Sequence, residues 1–343
     1  MKKSIKISTA LILLTCMALA ASTATVRADQ AVSVYIMDPT NPANGAKGLT
    51  SGGYWVGEIP ITITGNSAPT YQTVSYCIDF DRNIYIGNTY PATITVAVDD
   101  AEWRSVSYLL SWSYPATNNQ AAADQVAIWR LLNQTRGSNY YVESWLDQGI
   151  DNAGNALAAQ AIGKDVVRQN DLFQWVTPIT ANMSGTPSNP GETVSFTAKL
   201  TNSTGSPRPN VRVLFNVTSS FEGVTQVLNS TYVTPAETFT NNLGLAQVNV
   251  TVPGDSQYGA ILAVQAQTQS IWPQRYIDVT DPSSQNLLGI GETYQLTLST
   301  NVCVIGYITV LPESPLGTIA AIGACGGGFA AWVKIKKYKK GKA

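Results

Sequence analysis

Tyr76-Cys77-Ile78-Asp79 and Asp124-Gln125-Val126-Ala127-Ile128-Trp129 decide how this chain is read. The first closes a run of β-branched and aromatic residues that begins at Thr70, so it is expected at the end of a strand. The second lies within Asn119 to Gln134, where residues 125, 128, 129 and 132 share one helical face. That face is Gln125, Ile128, Trp129 and Leu132, an apolar stripe carrying one carboxamide. Burying a carboxamide is costly unless its polar atoms find partners. Two readings stay open: Gln125 is hydrogen-bonded to backbone, or it has been converted into something less polar. Attack by the Cys77 thiolate with loss of ammonia is such a conversion, and it stores an acyl donor behind apolar walls.

Around these stretches, residues 32–37, 59–64, 70–79 and 92–98 read as strands, bounded by Asn-Pro, Ser-Gly-Gly and Gly-Asn breaks, four or five in all. At Asp99 the period changes. Asp99 and Glu102 suggest a capping box ahead of Trp103, Val106 and Leu110, and helices are expected at 119–134 and 152–169, the last with Leu157, Ala161 and Ile162 inward. Residues 31–175 therefore read as one α+β domain, and six of the eight tryptophans fall within it.

After Thr177-Pro178 the helical pattern stops. About seven strands between 194 and 311 predict an all-β immunoglobulin-like sandwich over residues 178–312. Ser206-Pro207-Arg208-Pro209-Asn210-Val211-Arg212-Val213 and Asn242-Leu243-Gly244-Leu245-Ala246 resemble segments of bacterial and archaeal Ig-like repeats. Residues 270–291 take no assignment. Sequons at Asn133, Asn182, Asn202, Asn216, Asn229 and Asn249 make these the glycosylation candidates, five of them in a stalk-like second domain.

Composition excludes several kinds of function. The chain has no histidine, so a Ser-His-Asp or Cys-His pair, an imidazole metal site and an imidazole pH switch are all ruled out. Its net charge of −1 hides a segregation: Lys2, Lys3, Lys6 and Arg27 lie at the start, and Lys334, Lys336, Lys337, Lys339, Lys340 and Lys342 at the end. The middle is acidic, without a basic face for phosphates, and nucleic acid is not an expected partner. The acidic residues have no EF-hand spacing, so neither a metal nor a cofactor is expected.

Both ends read as addresses. Residues 1–28 carry a basic start, the apolar run Ala10 to Ala21 and small residues at Val26-Arg27-Ala28, the pattern of a signal peptide. Leu316 to Val333 is apolar and uncharged, about 27 Å long as a helix and sufficient to span a membrane. The basic tail 334–343 should stay cytoplasmic. A single-pass anchored surface protein with its N-terminal domain outside is the expectation. Pro312-Glu313-Ser314-Pro315-Leu316-Gly317, followed by the apolar span and basic end, resembles the tripartite tails of archaeal cell-surface proteins. As a sortase signal, Leu311-Pro312-Glu313-Ser314-Pro315 departs from Leu-Pro-x-Thr-Gly at its last two positions.

Of the four cysteines, Cys77 and Cys303 lie outside both terminal segments. A disulfide between them would close a very long loop between the two expected domains. In their order, spacing and strand-then-helix setting, the two opening stretches resemble the signature motifs of the surface thioester domains of Gram-positive adhesins and pilus tips. In that family a cysteine on the β part is bonded to a glutamine of a Thr-Gln-x-Ala segment on the helical part. The resemblance covers residues 31–175 and implies a Cys77–Gln125 thioester, opened by an amine, most simply a lysine of a surface protein or another amine-bearing ligand on a cell or matrix. The family's Thr is Asp124 here. Asp79 and Asp124 are the neighbouring candidates for proton handling, or equally for structural parts, and Tyr76 and Trp129 for walls. Such chemistry turns over once, so no enzyme and no catalytic residue is expected. The alternative is a passive, glycosylated envelope protein in which Cys77 and Gln125 are ordinary buried residues.

Overall fold

The computed structural model describes residues 30–65, 70–79, 82–132, 147–176, 186–280 and 285–304. The N-terminal part begins with β1 (Gln30–Ile36), the hairpin β2 (Gly48–Ser51) and β3 (Tyr54–Gly57), then β4 (Ile59–Gly65), β5 (Tyr71–Cys77) and β6 (Thr89–Val96). Among the described residues three helices follow, α1 (Ala101–Trp112), α2 (Asn118–Leu131) and α3 (Gln148–Ala161). Beyond them come β7 (Leu172–Trp175), β8 (Thr186–Ser188), β9 (Thr193–Thr201), β10 (Arg212–Phe221), β11 (Val224–Val227), β12 (Val233–Thr234), β13 (Glu237–Phe239) and β14 (Leu245–Thr251). Two long strands, β15 (Ile261–Asp278) and β16 (Leu287–Val304), complete the described chain.

Those two strands organise everything else. Each has 18 residues, against the five or six usual for a strand, and they pair with each other antiparallel over most of their length. The C-terminal half of β15 pairs with β6, and the start of β16 pairs with β5. Because β6 also pairs with β1, β1 with β4, and β4 with β5, the order β15-β6-β1-β4-β5-β16 closes on itself. The result is an antiparallel barrel of six strands that has no free edge around its circumference. Alternation sends Val32, Val34 and Ile36 of β1, Ile59, Ile61 and Ile63 of β4, Ala92 and Ile94 of β6, Tyr276 of β15 and Leu287 of β16 into its core.

At their other ends the same strands form part of a sandwich. The start of β15 pairs with β10, the end of β16 pairs in parallel with β8, and β12-β14-β9-β7 makes the facing sheet. Phe196, Val213, Phe215, Val248, Leu262, Val264 and Val302 fill the space between the two sheets. The unassigned stretch 270–291 thus holds the barrel half of the β15–β16 pair, kinked where the register shifts between Trp272 and Gln274. Strands β15 and β16 run through both parts of the molecule, across the expected division near residue 177.

Charged groups reinforce the junction. Arg208 grips the Asp171 carboxylate through Nε and Nη2, each at 3.1 Å, with the Asp171 side chain only 1% exposed. Arg168 pairs with Asp165 at 2.8 Å and with Asp99 at 3.0 Å while lying over the Trp272 ring.

The helices differ from expectation at their ends. Asp100, not Asp99, caps α1 by accepting from the Trp103 N–H, which frees Asp99 to pair with Arg104 and Arg168. Helix α2 opens on a capping box made by Thr117 and Gln120. Helix α3 starts earlier and stops earlier than 152–169: Asp147 caps it, Ala161 ends it, and Ile162 is exposed rather than inward. Among the described residues no helix is long and apolar enough to cross a membrane, and residues 1–28 and 316–343 lie outside them.

Candidate functional site

Strand β5 ends where its neighbour leaves it. Its pairing with β4 stops at Ser75, opposite Ile59, because the chain before Ile59 turns away into the β2–β3 hairpin. On the other side, Ile78 N–H donates to Asn286 O at 3.1 Å. Strand alternation then aims the N–H and C=O of Cys77 at the vacated side, where no strand can satisfy them.

Gln125 fills that place. Cys77 N–H donates to Gln125 Oε1 at 2.8 Å, and Gln125 Nε2 donates to Cys77 O at 2.8 Å. The carboxamide acts as one residue of a missing strand, which explains how a polar group 1% exposed is tolerated on an apolar helix face. Helix α2 can deliver it because Ala122, Val126 and Trp129 pack into the same core as the barrel interior and Cys77. Ala127, Ile128 and Leu131 face the other helices. The structure thus brings Cys77 and Gln125 into direct contact across 48 residues.

The Cys77 side chain points inward with the barrel core and is 7% exposed. Burial pushes its thiol up, the Asp79 charge pushes the same way, and a hydrogen bond with the Gln285 side chain opposes both. The thiol is therefore protonated at neutral pH. Cys303 is a separate, half-buried free cysteine on β16 opposite Ile261, and Cys77 is likewise free. Register places Leu287, not Cys303, across from Cys77.

The neighbouring residues divide by role. Asp79 is a structural clamp: its Oδ2 accepts from Asn286 N at 2.9 Å and Asn286 Nδ2 at 2.7 Å, and its carbonyl accepts from Gln285 Nε2 at 2.7 Å. These bonds fix Gln285 beside the thiol. Trp129 is a wall of the barrel core, as Tyr76 is of the helical layer outside it.

Asp124 is 1% exposed, and its Oδ1 accepts from Ser113 Oγ at 2.8 Å while Oδ2 has no hydrogen-bond partner. Burial raises its carboxyl to about 7, with Ser113 opposing and the charge of Glu58 adding. Glu58, 2% exposed, is itself raised by burial, against the Lys47 N–H bond to its Oε2 and the Lys47 charge. Desolvation, then the charges of Glu58 and Asp124, raise the Tyr76 phenol.

Three contributors escape a sequence reading. Glu58 interrupts an apolar strand run, which is a faint signal; Ser113 and Gln285 sit in turn-like segments and give none. Of the sequons, Asn216, Asn229 and Asn249 are exposed, and Asn202 is half-buried with its Oδ1 accepting from Thr204 and Ser206. Asn133 and Asn182 lie outside the described residues.

No family model and no curated protein matches this sequence. Among solved structures, the chain is similar to the Bacillus anthracis TIE protein at 12% identity and TM-score 0.29, over 76% of this chain and 48% of that one. It thus spans about half the length of that relative. It is also similar to the thioester domain of the Enterococcus faecium TIE86 protein at 12% identity and TM-score 0.30, over 80% of this chain and 97% of that one. A third likeness, at 12% identity and TM-score 0.19, is to the ASH / PapD-like domain 7 of human CEP192, over 42% of this chain and 96% of that one.

Proposed function

We propose that Cys77 and Gln125 condense into an internal thioester, and that the protein is a cell-surface binding protein that uses it once to attach covalently to an amine. The observation that carries this is the docking of the Gln125 carboxamide on the Cys77 peptide inside an apolar core. In condensation the Cys77 sulfur adds to the Gln125 carbonyl carbon, the carbon–nitrogen bond breaks, and ammonia leaves with the thiol proton. The Cys77 N–H already donates to the oxygen on which negative charge develops. In opening, an amine nitrogen bonds the same carbon, the carbon–sulfur bond breaks, and the thiol regains a proton. The product is an amide to the partner, most simply an isopeptide to a lysine.

This reading gives the rest of the chain its setting: residues 1–28 as export signal, 31–175 with the barrel ends of β15 and β16 as the thioester part, the remaining sandwich within 178–312 as Ig-like stalk, 316–333 as retained anchor, and sugars at the exposed Asn216, Asn229 and Asn249. One observation favours the rival reading of a passive, glycosylated envelope protein: both polar atoms of Gln125 are satisfied while it remains an amide. Methylamine separates the two. Incubation should place a methylamide on Gln125 and release a titratable thiol at Cys77, both lost in Cys77→Ala; an unlabelled Gln125 in freshly folded protein would leave the passive reading standing.

A further inference from the structure

Gln125 is 1% and Cys77 7% exposed, so an acceptor needs a way in. The Cys77 side chain faces the barrel interior, and that way runs through an end of the barrel. Cys77 lies at the end where β1, β5 and β15 finish and β4, β6 and β16 begin. Helix α2 reaches this end over β5, where Gln125 meets the Cys77 peptide. Beside it lies a depression with about 230 Å³ of free space, solvent at its mouth included. Among the described residues its walls come from the inward faces of β1, β6, β15 and β16, with Ile84 and Gln285 from the adjoining segments, and from neither β4 nor β5.

Register carries this depression to the reactive pair. Tyr276 stands opposite Leu287 and Leu287 opposite Cys77, so two wall residues continue the row that Cys77 begins around the barrel. Gln285, clamped by its Nε2 bond to Asp79 O at 2.7 Å, stands between the depression and the thiol, to which its side chain also bonds.

One charged residue belongs to these walls. Asp278 stands opposite Ala92, two residues beyond Tyr276 on the same face of β15, and its Oδ1 accepts from Thr280 N and Oγ1, each at 2.8 Å. Tyr90 adds a half-buried ring, and no wall residue is basic. Arg82, two residues before Ile84, is paired with Asp79 at 3.7 Å. Outside, Tyr85, Ile86 and Val279 are exposed around the rim, which is tied to the walls by Tyr85 N–H donating to Tyr90 Oη, Gly87 N–H to Ile36 O and Val279 N–H to Pro91 O.

An apolar hollow with one carboxylate and one aromatic ring suits an alkylammonium, and an apolar rim suits the protein surface that carries it. We infer that this end of the barrel is the entry for the acceptor: a partner protein docks on Tyr85, Ile86 and Val279, its lysine passes Asp278 and Tyr90, and Gln285 swings aside to admit it to the acyl carbon. This deepens the thioester reading and rests on it. The lysine ammonium gives up two protons. One ends on the Cys77 sulfur as the carbon–sulfur bond breaks, and the other goes to solvent as the carbon–nitrogen bond forms.

The test treats the full chain at neutral pH with n-butylamine, a cationic stand-in for the lysine side chain, and with hydroxylamine, which is uncharged there. Thiol release at Cys77 gives the two rate constants. Asp278→Asn removes the charge and keeps an acceptor for Thr280. It should lower the butylamine-to-hydroxylamine ratio about fivefold, the upper range for one carboxylate–ammonium pair. Asp255→Asn, which removes an exposed charge of the sandwich, should leave the ratio unchanged. Ile84→Trp, which fills the mouth, should slow both reagents on the order of tenfold. An unchanged ratio in Asp278→Asn, or unhindered opening in Ile84→Trp, overturns the entry and leaves the thioester standing. A chain of full sequence mass that is inert to both reagents sinks the thioester instead. The entry is then read on the free Cys77 thiol by peptide mass, with 2-bromoethylammonium against iodoacetamide: Asp278→Asn should lower that ratio likewise, and an unchanged ratio overturns the entry too.

Discussion

Residues 30–176 expressed alone should not form the barrel. They contain β1, β4, β5 and β6, but β15 and β16 arrive from positions 261–304 and close the circle. Without them β5 and β6 have unpaired edges, and the core loses Tyr276 and Leu287. Each such side chain contributes about 1.5–3 kcal/mol on burial, against a total stability of order 5–15 kcal/mol for a domain. The lost pairing along both strands adds to that deficit. Residues 30–304 should melt in one cooperative transition followed by circular dichroism, and residues 30–176 should show none and aggregate. A cooperative melt of 30–176 within a few degrees of the longer chain would contradict the shared-strand architecture.

The second large effect concerns Gln125 and is asymmetric. In the uncondensed chain, where Gln125 is still an amide, Gln125→Ala strips the Cys77 N–H and C=O of their partners in a buried site, about 1–3 kcal/mol for each orphaned group, and leaves a cavity besides. A loss of about 3–5 kcal/mol in chemical denaturation is expected. Cys77→Ala removes one sulfur and leaves the Cys77 peptide and its Gln125 partner in place, so about 1–2 kcal/mol should be lost. Both variants abolish thioester formation, so their difference isolates the structural role of the carboxamide. Equal, small losses would mean that the Gln125–Cys77 backbone pairing does not hold the end of β5.

Much of the N-terminal part is legible because it obeys short-range rules. Val32, Val34 and Ile36, or Ile59, Ile61 and Ile63, alternate as strands with one buried face must. The β2–β3 hairpin was not legible, since Gly-Leu-Thr-Ser-Gly-Gly-Tyr-Trp-Val-Gly reads as a turn and its partner surface is a helix 70 residues away.

Strand β15 disappears from view between its two cores. Its middle buries Thr268, Ser270 and Gln274, with Ser270 Oγ donating to Val167 O, so apolar alternation fails where the strand crosses from sandwich to barrel. The site shows the same division. Cys77 and Gln125 announce themselves as a cysteine closing a strand and an amide on an apolar stripe. Glu58, Ser113 and Gln285 matter only through contacts made after folding. Asp79 stood as a candidate for proton handling or for a structural part, and the bonds that its carboxylate and carbonyl accept come from Asn286 and Gln285, more than two hundred positions along the chain.

In the proposed chemistry Cys77 and Gln125 become one group. Intact mass of freshly folded, unreduced protein tests it most directly, read beside Cys77→Ala as the reference for each chain's own sequence mass. The wild type should show a deficit of about 17 Da, the ammonia lost on condensation, and Cys77→Ala none. Full sequence mass in both, with one titratable thiol at Cys77 in the wild type, would contradict it.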